Sequence, residues 1–373
     1  MRLDVPASGD CRLIRFELVK WRDLRPLDRD AWAAIRAVNP GLRSPYFDLG
    51  WFDVLNAARG DLHVLRGESR GVPTAFLPFH PRPCGAEPPG GPFADWHGFV
   101  AAPDAAVDAR AALAAGAAHY RFTAAPADDP WLAAFAERSD ASHLMDLSGG
   151  FEAYARPPSG GAPKAARNWH RGLRKLEEDG REMRFLLDDR SIGTLQALQA
   201  AKSEQFRRTG HPDRLSYGWS RRLVRALFDS RGEGFTGLLS SLWIDGELAA
   251  AHLGMRSGGV LHYWMPVFDA RFSSYAPGVV LMAEMAREGA AGGVTEIDLG
   301  PGDYQHKKEL ANASAPLIGG VVHAASAAGL ATRAAYALGR RWSAAPIGPA
   351  AGLPHRVSRR LTRMLEARAP DPA

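Results

Sequence analysis

Two short turns in the second half of the chain constrain its fold most. Asp245-Gly246 separates GLLSSLWI from ELAAAHLGMRS, and Gly258-Gly259 separates that run from VLHYWMPVF. Such dipeptides supply the backbone geometry of two-residue hairpins, so three apolar runs joined this tightly read as an antiparallel meander. A loop of small residues follows, Ser273-Ser274-Tyr275-Ala276-Pro277-Gly278, then a helical pattern from Val279 to Gly289, a strand pattern VTEIDLG and a further helical pattern in PGDYQHKKELA. A glycine loop that opens a helix presents backbone N–H groups and the positive end of the helix dipole, which together attract an anion. Pro277 suits the first helical turn, Gly278 lets a phosphate approach the backbone, and Arg271 adds a charge-assisted contact. Taken alone, the loop is better explained as an ordinary capped helix start.

The first half reads as a separate α/β unit. A weakly alternating run over residues 12–24 predicts a strand, and the next segment a helix from Asp28 to Val38. SPYFDLGWFDVL predicts a helix capped by Ser44, with Phe47, Trp51 and Leu55 on one face. DLHVLRG and VPTAFLPFH read as strands, residues 81–92 as a Pro/Gly loop, and FADWHGFV as an aromatic segment beyond it. An Ala-rich helix, a strand near Tyr120–Thr123, a helix near Trp131–Glu137 and a strand SHLMDL complete the unit. RPPSGGAP (Arg156–Pro163) is the clearest break in composition, so the units are placed at 1–155 and 156–325, with a basic tail at 326–373. In the tail, Val357, Leu361, Met364 and Leu365 share a helical face against Arg356, Arg359, Arg360 and Arg363, as in a helix that lies on a membrane surface. A helix packed on the domain explains the same pattern.

Of 373 residues 46% are apolar and 23% charged, enough for a large core without disulfides or a structural metal. The net charge of +5 is mild, and 40 of the 46 basic residues are Arg, a bias that does not by itself point to nucleic acid. Cys11 and Cys84 stand apart and in no metal-binding motif, which fits a reducing compartment. No secretory pattern opens the chain and no run reaches 18 apolar residues, so the expectation is a cytoplasmic protein, with association at the inner leaflet as an added option.

The block LWIDGELAAAHLGMRSGGVLHYWMPVFDARFSSYAPGVVLMAEMAREGAAGGVTEIDLGPGDYQHKKEL resembles the GNAT acyltransferases, more closely the cellulose-biosynthesis (CelD/BcsL-like) branch related to the Fem peptidyl transferases. DLGPGDYQHKK is its most specific piece, RNWHRGLRKLEEDG resembles the family's basic lead-in helix, and SPYFDLGWFDVL its N-terminal signature. The resemblance implies an α/β (α+β) chain of tandem GNAT-like domains with mixed, largely antiparallel sheets flanked by helices. It also implies that strand 261–267 splays from strand 295–299 to admit the pantetheine arm of acetyl-CoA or a longer acyl-CoA. The pyrophosphate would rest on Arg271, Ser273, Ser274, Tyr275, Gly278 and Val279. An amine would attack the thioester directly, a base taking its proton and an acid protonating the thiolate.

Position suggests the roles. Tyr304, just after the last strand, is the candidate acid, against an equal reading as a buried structural tyrosine. Asp303 is a candidate base or orienter of the amine, and Asp298 a structural residue of the strand end. His262, with His252 on the adjacent strand, is a further candidate base. Lys307 would neutralise a substrate anion. Arg167 and Arg171 on the basic helix would bind an anionic acceptor, although a solvated face is the usual meaning of a charge run. Trp96, with His97, would line an acceptor cleft, although core packing explains that aromatic segment as well. No metal and no specific nucleic acid are expected. The implied activity is acyl-CoA-dependent N-acylation in cell-envelope polysaccharide or lipid biosynthesis, the acceptor being an amino sugar or a lipid amine. Two alternatives stand beside it: a Fem-type transferase using charged tRNA, and a non-catalytic GNAT-like binding subunit.

Overall fold

The structure is a computed structural model and describes residues 14–83, 85–156 and 164–344. Its strands are β1 (Arg15–Lys20), β2 (His63–Ser69), β3 (Val72–Arg82), β4 (Gly85–Glu87), β5 (Val100–Ala101), β6 (His119–Pro126), β7 (Ala136–Asp146), β8 (Met183–Leu186), β9 (Phe235–Ile244), β10 (Glu247–Ser257), β11 (Val260–Phe268), β12 (Glu296–Pro301) and β13 (Ala313–His323). Its helices are α1 (Pro26–Val38), α2 (Leu49–Arg59), α3 (Ala109–Ala114), α4 (Phe151–Ala155), α5 (Lys164–Glu178), α6 (Ile192–Arg208), α7 (Gly218–Asp229), α8 (Pro277–Ala291), α9 (Gln305–Leu310) and α10 (Ala327–Ala344).

Both hairpin turns form where the dipeptides place them. Asp245 and Gly246 adopt φ of 50° and 77°, and β9, β10 and β11 pair antiparallel in succession. They belong to one mixed, mostly antiparallel sheet in the order β1-β2-β3-β4-β6-β13-β7-β12-β11-β10-β9-β8, with β5 added beside β3. Read inward from either edge, the order repeats itself. Four strands run antiparallel, one parallel step follows (β4–β6, β11–β12), and an antiparallel strand closes the half (β13, β7). The closing strands are exchanged. β7 comes from the first half but pairs with β12, and β13 comes from the second half but pairs with β6. Neither half completes its sheet without the other, and the sheet runs on across the expected boundary at residues 155/156. Much of the break that suggested that boundary, residues 157–163, lies outside the described residues.

Helices cover both faces. α2 and α7 pack together, with the buried guanidinium of Arg59 4.8 Å above the Trp219 ring and the Arg222 side chain donating to the Ala58 carbonyl at 3.0 Å. Trp32, Trp51, Phe52, Phe76, Leu239 and Met265 fill one core that draws on both halves. α5 packs on α8 on the other side, where Trp169, Phe151, Leu281 and Met285 are buried. Burial of aromatic side chains on this scale dominates core stability, at about 3–5 kcal/mol for truncation of each.

Three local expectations change. Ser44 caps only a single 3-10 turn, Pro45–Phe47, because Asp48 in extended conformation starts the longer α2 by accepting from the Gly50 N–H at 2.8 Å. The segment near Trp131 forms a 3-10 turn, Ala133–Phe135, and not a helix, since β7 already begins at Ala136. Past Leu330 the chain continues α10, while the amphipathic pattern at 356–365 lies outside the described residues. Among the described residues, no helix is long and apolar enough to cross a membrane.

Candidate active site

β11 and β12 pair only through Val260–Glu296, Leu261–Ile297 and His262–Asp298. Beyond that point each strand turns to its other neighbour. On the β10 side Met255 faces His262 but Leu253 faces Met265, so β11 carries one extra residue, a bulge. On the β7 side β12 skips register and resumes at Pro301–Ser142. The strands therefore part beyond His262 and Asp298 and leave a wedge between residues 263–267 and 299–301. The bulge would orphan a buried amide, and His252 prevents this by accepting from the Trp264 N–H at 3.1 Å. Burial, and then the charges of His262 and Lys202, push His252 well below the usual histidine range, which keeps that nitrogen an acceptor.

A chain of paired charges, with Asp298 and His262 buried and Asp95 partly exposed, closes the base of the wedge. Asp298 accepts from Trp96 Nε1 at 2.6 Å, from the Gly300 N–H at 2.8 Å and from the Ser142 hydroxyl. His262 lies between two carboxylates, with Nδ1 3.4 Å from Asp298 and Nε2 3.1 Å from Asp95. Burial alone would lower the His262 pKa. Asp298 and Asp95 outweigh it and hold the ring at about 9, while His262 holds Asp298 below the carboxylate range. The two carboxylates favour the imidazolium, with Nε2 bonded to Asp95 and Nδ1 close to Asp298 without a hydrogen bond, so His262 is a poorer base than the sequence suggested. Gly300 allows the close approach of Asp95. Its φ is +76°, and a Cβ there would sit 2.7 Å from the Asp95 carboxylate.

One ammonium stands on each wall of the wedge. Lys202 Nζ, from α6, donates to the Pro266 carbonyl on β11 at 3.2 Å, and Lys307 Nζ donates to the Pro301 carbonyl on β12 at 2.7 Å. Burial and the charge of Lys307 lower Lys202 to about 8. Lys307 is lowered by burial, against the pull of Asp95, Asp298 and Asp140.

Tyr304 precedes α9 and is 56% exposed, so the reading as a buried structural tyrosine falls away; its ring lies 5.4 Å from the Lys307 ammonium. Asp303 projects into solvent and pairs with Lys308, which lowers its pKa and makes it a poorer base than the sequence suggested. Trp96 is buried and bonds Asp298, and His97 accepts from the Thr123 and Ala124 amides at 2.7 and 3.0 Å. Both brace the structure and neither lines an open cleft.

The expected phosphate loop forms a 3-10 turn, Ala270–Tyr275, before α8. Ala276 joins them at φ 50°, ψ 52°, one of three non-glycine residues with positive φ among those described. Strain of this kind often marks a functional loop. A Cβ on Gly278 would meet nothing closer than the Phe268 ring at 3.8 Å, so the first turn of α8 is open to approach. Ser273 and Ser274 are exposed and Val279 is half-buried. Two residues depart from expectation. Tyr275 is buried and donates to Asp179 at 2.8 Å, and Arg271 is held by Asp269 and Glu247, each at 2.7 Å, so its charge is already matched. α5 backs the loop closely, since a Cβ on Gly172 would lie 2.5 Å from the Tyr275 carbonyl. Arg167 and Arg171 are exposed on that helix.

Sequence reasoning missed Asp95 and Lys202. One signal for Lys202 was present: the chain has six lysines against 40 arginines, and lysine alone of the two can give up its proton in a buried setting.

Residues 163–308, from the start of α5 to α9, match the family described as acetyltransferase (GNAT) domain. The matched stretch, less than half of the chain, holds the wedge, both lysines and the loop. No curated protein matches the chain. Among solved structures, FemX is similar over 80% of this chain and 96% of its own, with a TM-score of 0.56 at 11% identity, a likeness of fold. The C-terminal domain of a lysylphosphatidylglycerol synthetase from Agrobacterium fabrum aligns at TM-score 0.49 and 16% identity over 83% of this chain and 96% of its own. A tandem GNAT protein from the clavulanic acid biosynthesis pathway aligns at TM-score 0.49 and 12% identity over 84% of this chain and 100% of its own.

Proposed function

We propose that the chain transfers an acyl group from acyl-CoA to an amine acceptor of the cell envelope, an amino sugar or a lipid amine, as its resemblance to the CelD/BcsL-like branch implies. The observation that carries this reading is the wedge, which opens beside the loop at the start of α8. A thioester in the wedge places its carbonyl against the bulged strand, and the pyrophosphate falls on Ser273, Ser274, Gly278 and Val279. The amine nitrogen attacks the carbonyl carbon, the C–N bond forms, and the C–S bond breaks. Lys202, held at about 8 and on the wall of the wedge, takes the amine proton, and Tyr304 protonates the departing thiolate. Lys307, with Arg167 and Arg171 farther out, receives an anionic group of the acceptor.

Thiol release from acetyl-CoA and palmitoyl-CoA, followed against amino-sugar and long-chain amine acceptors, tests the reading. Tyr304→Phe is expected to lower turnover by about tenfold or more with acyl-CoA affinity nearly intact. Equal turnover would remove the acid role. Transfer that runs only with charged tRNA would favour the Fem-type alternative.

A further inference from the structure

α10 turns a charged face toward its own domain. Arg333, Tyr336, Ala337, Arg340 and Arg341 recur at the spacing of one helical face. Contacts fix the direction of that face: Thr332 Oγ1 lies 3.1 Å from His323 Nδ1 on β13, Tyr336 donates to Glu137 on β7 at 2.6 Å, and Arg340 reaches the same carboxylate at 3.3 Å. A helix face that looks onto its own domain is normally apolar. Here it borders a hollow of about 570 Å³, whose other walls are the end of β13, the start of β7, Phe135 and Arg110 of α3.

The charge of this hollow is unbalanced. Arg110, Arg333, Arg340 and Arg341 line it with one carboxylate, Glu137, which already holds Tyr336 and Arg340. Among the described residues, no ion pair engages Arg110, Arg333 or Arg341. Burial, then the charges of His119, Arg333 and Arg110, lower the His323 pKa while Glu137 opposes them, so that ring adds no charge at neutral pH. Three guanidiniums are left for an anion, and their forks match phosphate oxygens two at a time. The volume is that of a site for a whole organic molecule, and Phe135 and Ala337 offer apolar surface beside the arginines. We propose that the hollow binds a soluble organic di- or triphosphate, its phosphates on Arg110, Arg333 and Arg341 and its organic part against Phe135 and Ala337. The inference stands apart from the acyl-transfer reading, since no residue of the hollow belongs to the wedge or to the loop before α8.

The test is calorimetry of the full-length protein with ADP, pyrophosphate and inorganic phosphate, without a divalent metal. ADP is expected to bind tightest and inorganic phosphate weakest, with affinity falling as salt rises. Arg333→Gln with Arg341→Gln should weaken ADP binding at least about tenfold. Arg207→Gln with Arg208→Gln removes the same charge from the exposed end of α6 and should leave the affinity unchanged. Gly278→Glu should retain ADP binding, which separates this site from the one proposed at α8. Unchanged far-ultraviolet circular dichroism shows that these substitutions leave the fold intact. Absence of ADP binding by the parent, or equal affinity of the parent and the Arg333/Arg341 variant, would overturn the proposal. So would an equal loss in both arginine pairs, or loss of all ADP binding in Gly278→Glu. Pyrophosphate bound as tightly as ADP would overturn the assignment of an organic part.

Discussion

Asp298→Ala is expected to cost about 3–5 kcal/mol of stability and nearly all activity. The substitution leaves the His262 imidazolium buried with one of its two carboxylates gone, and it strips acceptors from Trp96, Ser142 and the Gly300 amide at once. Denaturant unfolding measures the effect, and a loss under about 1 kcal/mol would contradict the account. Asp298→Asn keeps the shape and removes the charge, so it adds a pH signature. The His262 pKa is raised in the fold to about 9. The stabilisation it supplies is therefore complete below the ordinary histidine value and is lost as pH rises through about 9, on the order of 3 kcal/mol. Parent stability should decline over that window, and Asp298→Asn should flatten the decline.

Gly254→Ala is expected to disable the wedge. A Cβ at this position would lie 2.1 Å from the His262 carbonyl and 2.5 Å from the His252 ring, both fixed parts of the β10–β11 bulge. Backbone must move to admit it, at about 3 kcal/mol or more. The movement pulls on the bond from the Trp264 amide to His252 and on the strand proposed to face the thioester. Turnover should fall at least tenfold, with amide exchange at Trp264 accelerated. A folded variant with parental turnover would show that the bulge does not shape the reacting geometry.

What the sequence disclosed and what it hid follow a physical line. Local signals were legible: Asp245-Gly246 and Gly258-Gly259 set the meander, the basic segment RNWHRGLRKLEEDG lies largely in α5, and the DLGPGDYQHKK segment sits at the wedge. The exchange of β7 and β13 was not legible. Their apolar pattern is satisfied by any neighbouring strand, and pairing across such distances leaves no local mark. Asp95 is 167 residues from the histidine it meets and sits in a segment whose aromatic neighbours suggested packing. His262 read as a candidate base because an ordinary histidine titrates near neutrality, and the two carboxylates that favour its protonated form come from elsewhere in the chain. Arg271 read as a phosphate contact because the acids that engage it, Asp269 and Glu247, include one from the neighbouring hairpin.

The central claim is that the wedge and the start of α8 bind acyl-CoA. Calorimetry of acetyl-CoA and palmitoyl-CoA with the parent protein and with Gly278→Glu tests it most directly. The side chain at 278 enters open space, so the fold tolerates glutamate while its charge and bulk occupy the place of the pyrophosphate. The account predicts binding of at least one thioester by the parent and none by Gly278→Glu. Absence of binding to the parent, or equal binding by both proteins, would contradict it.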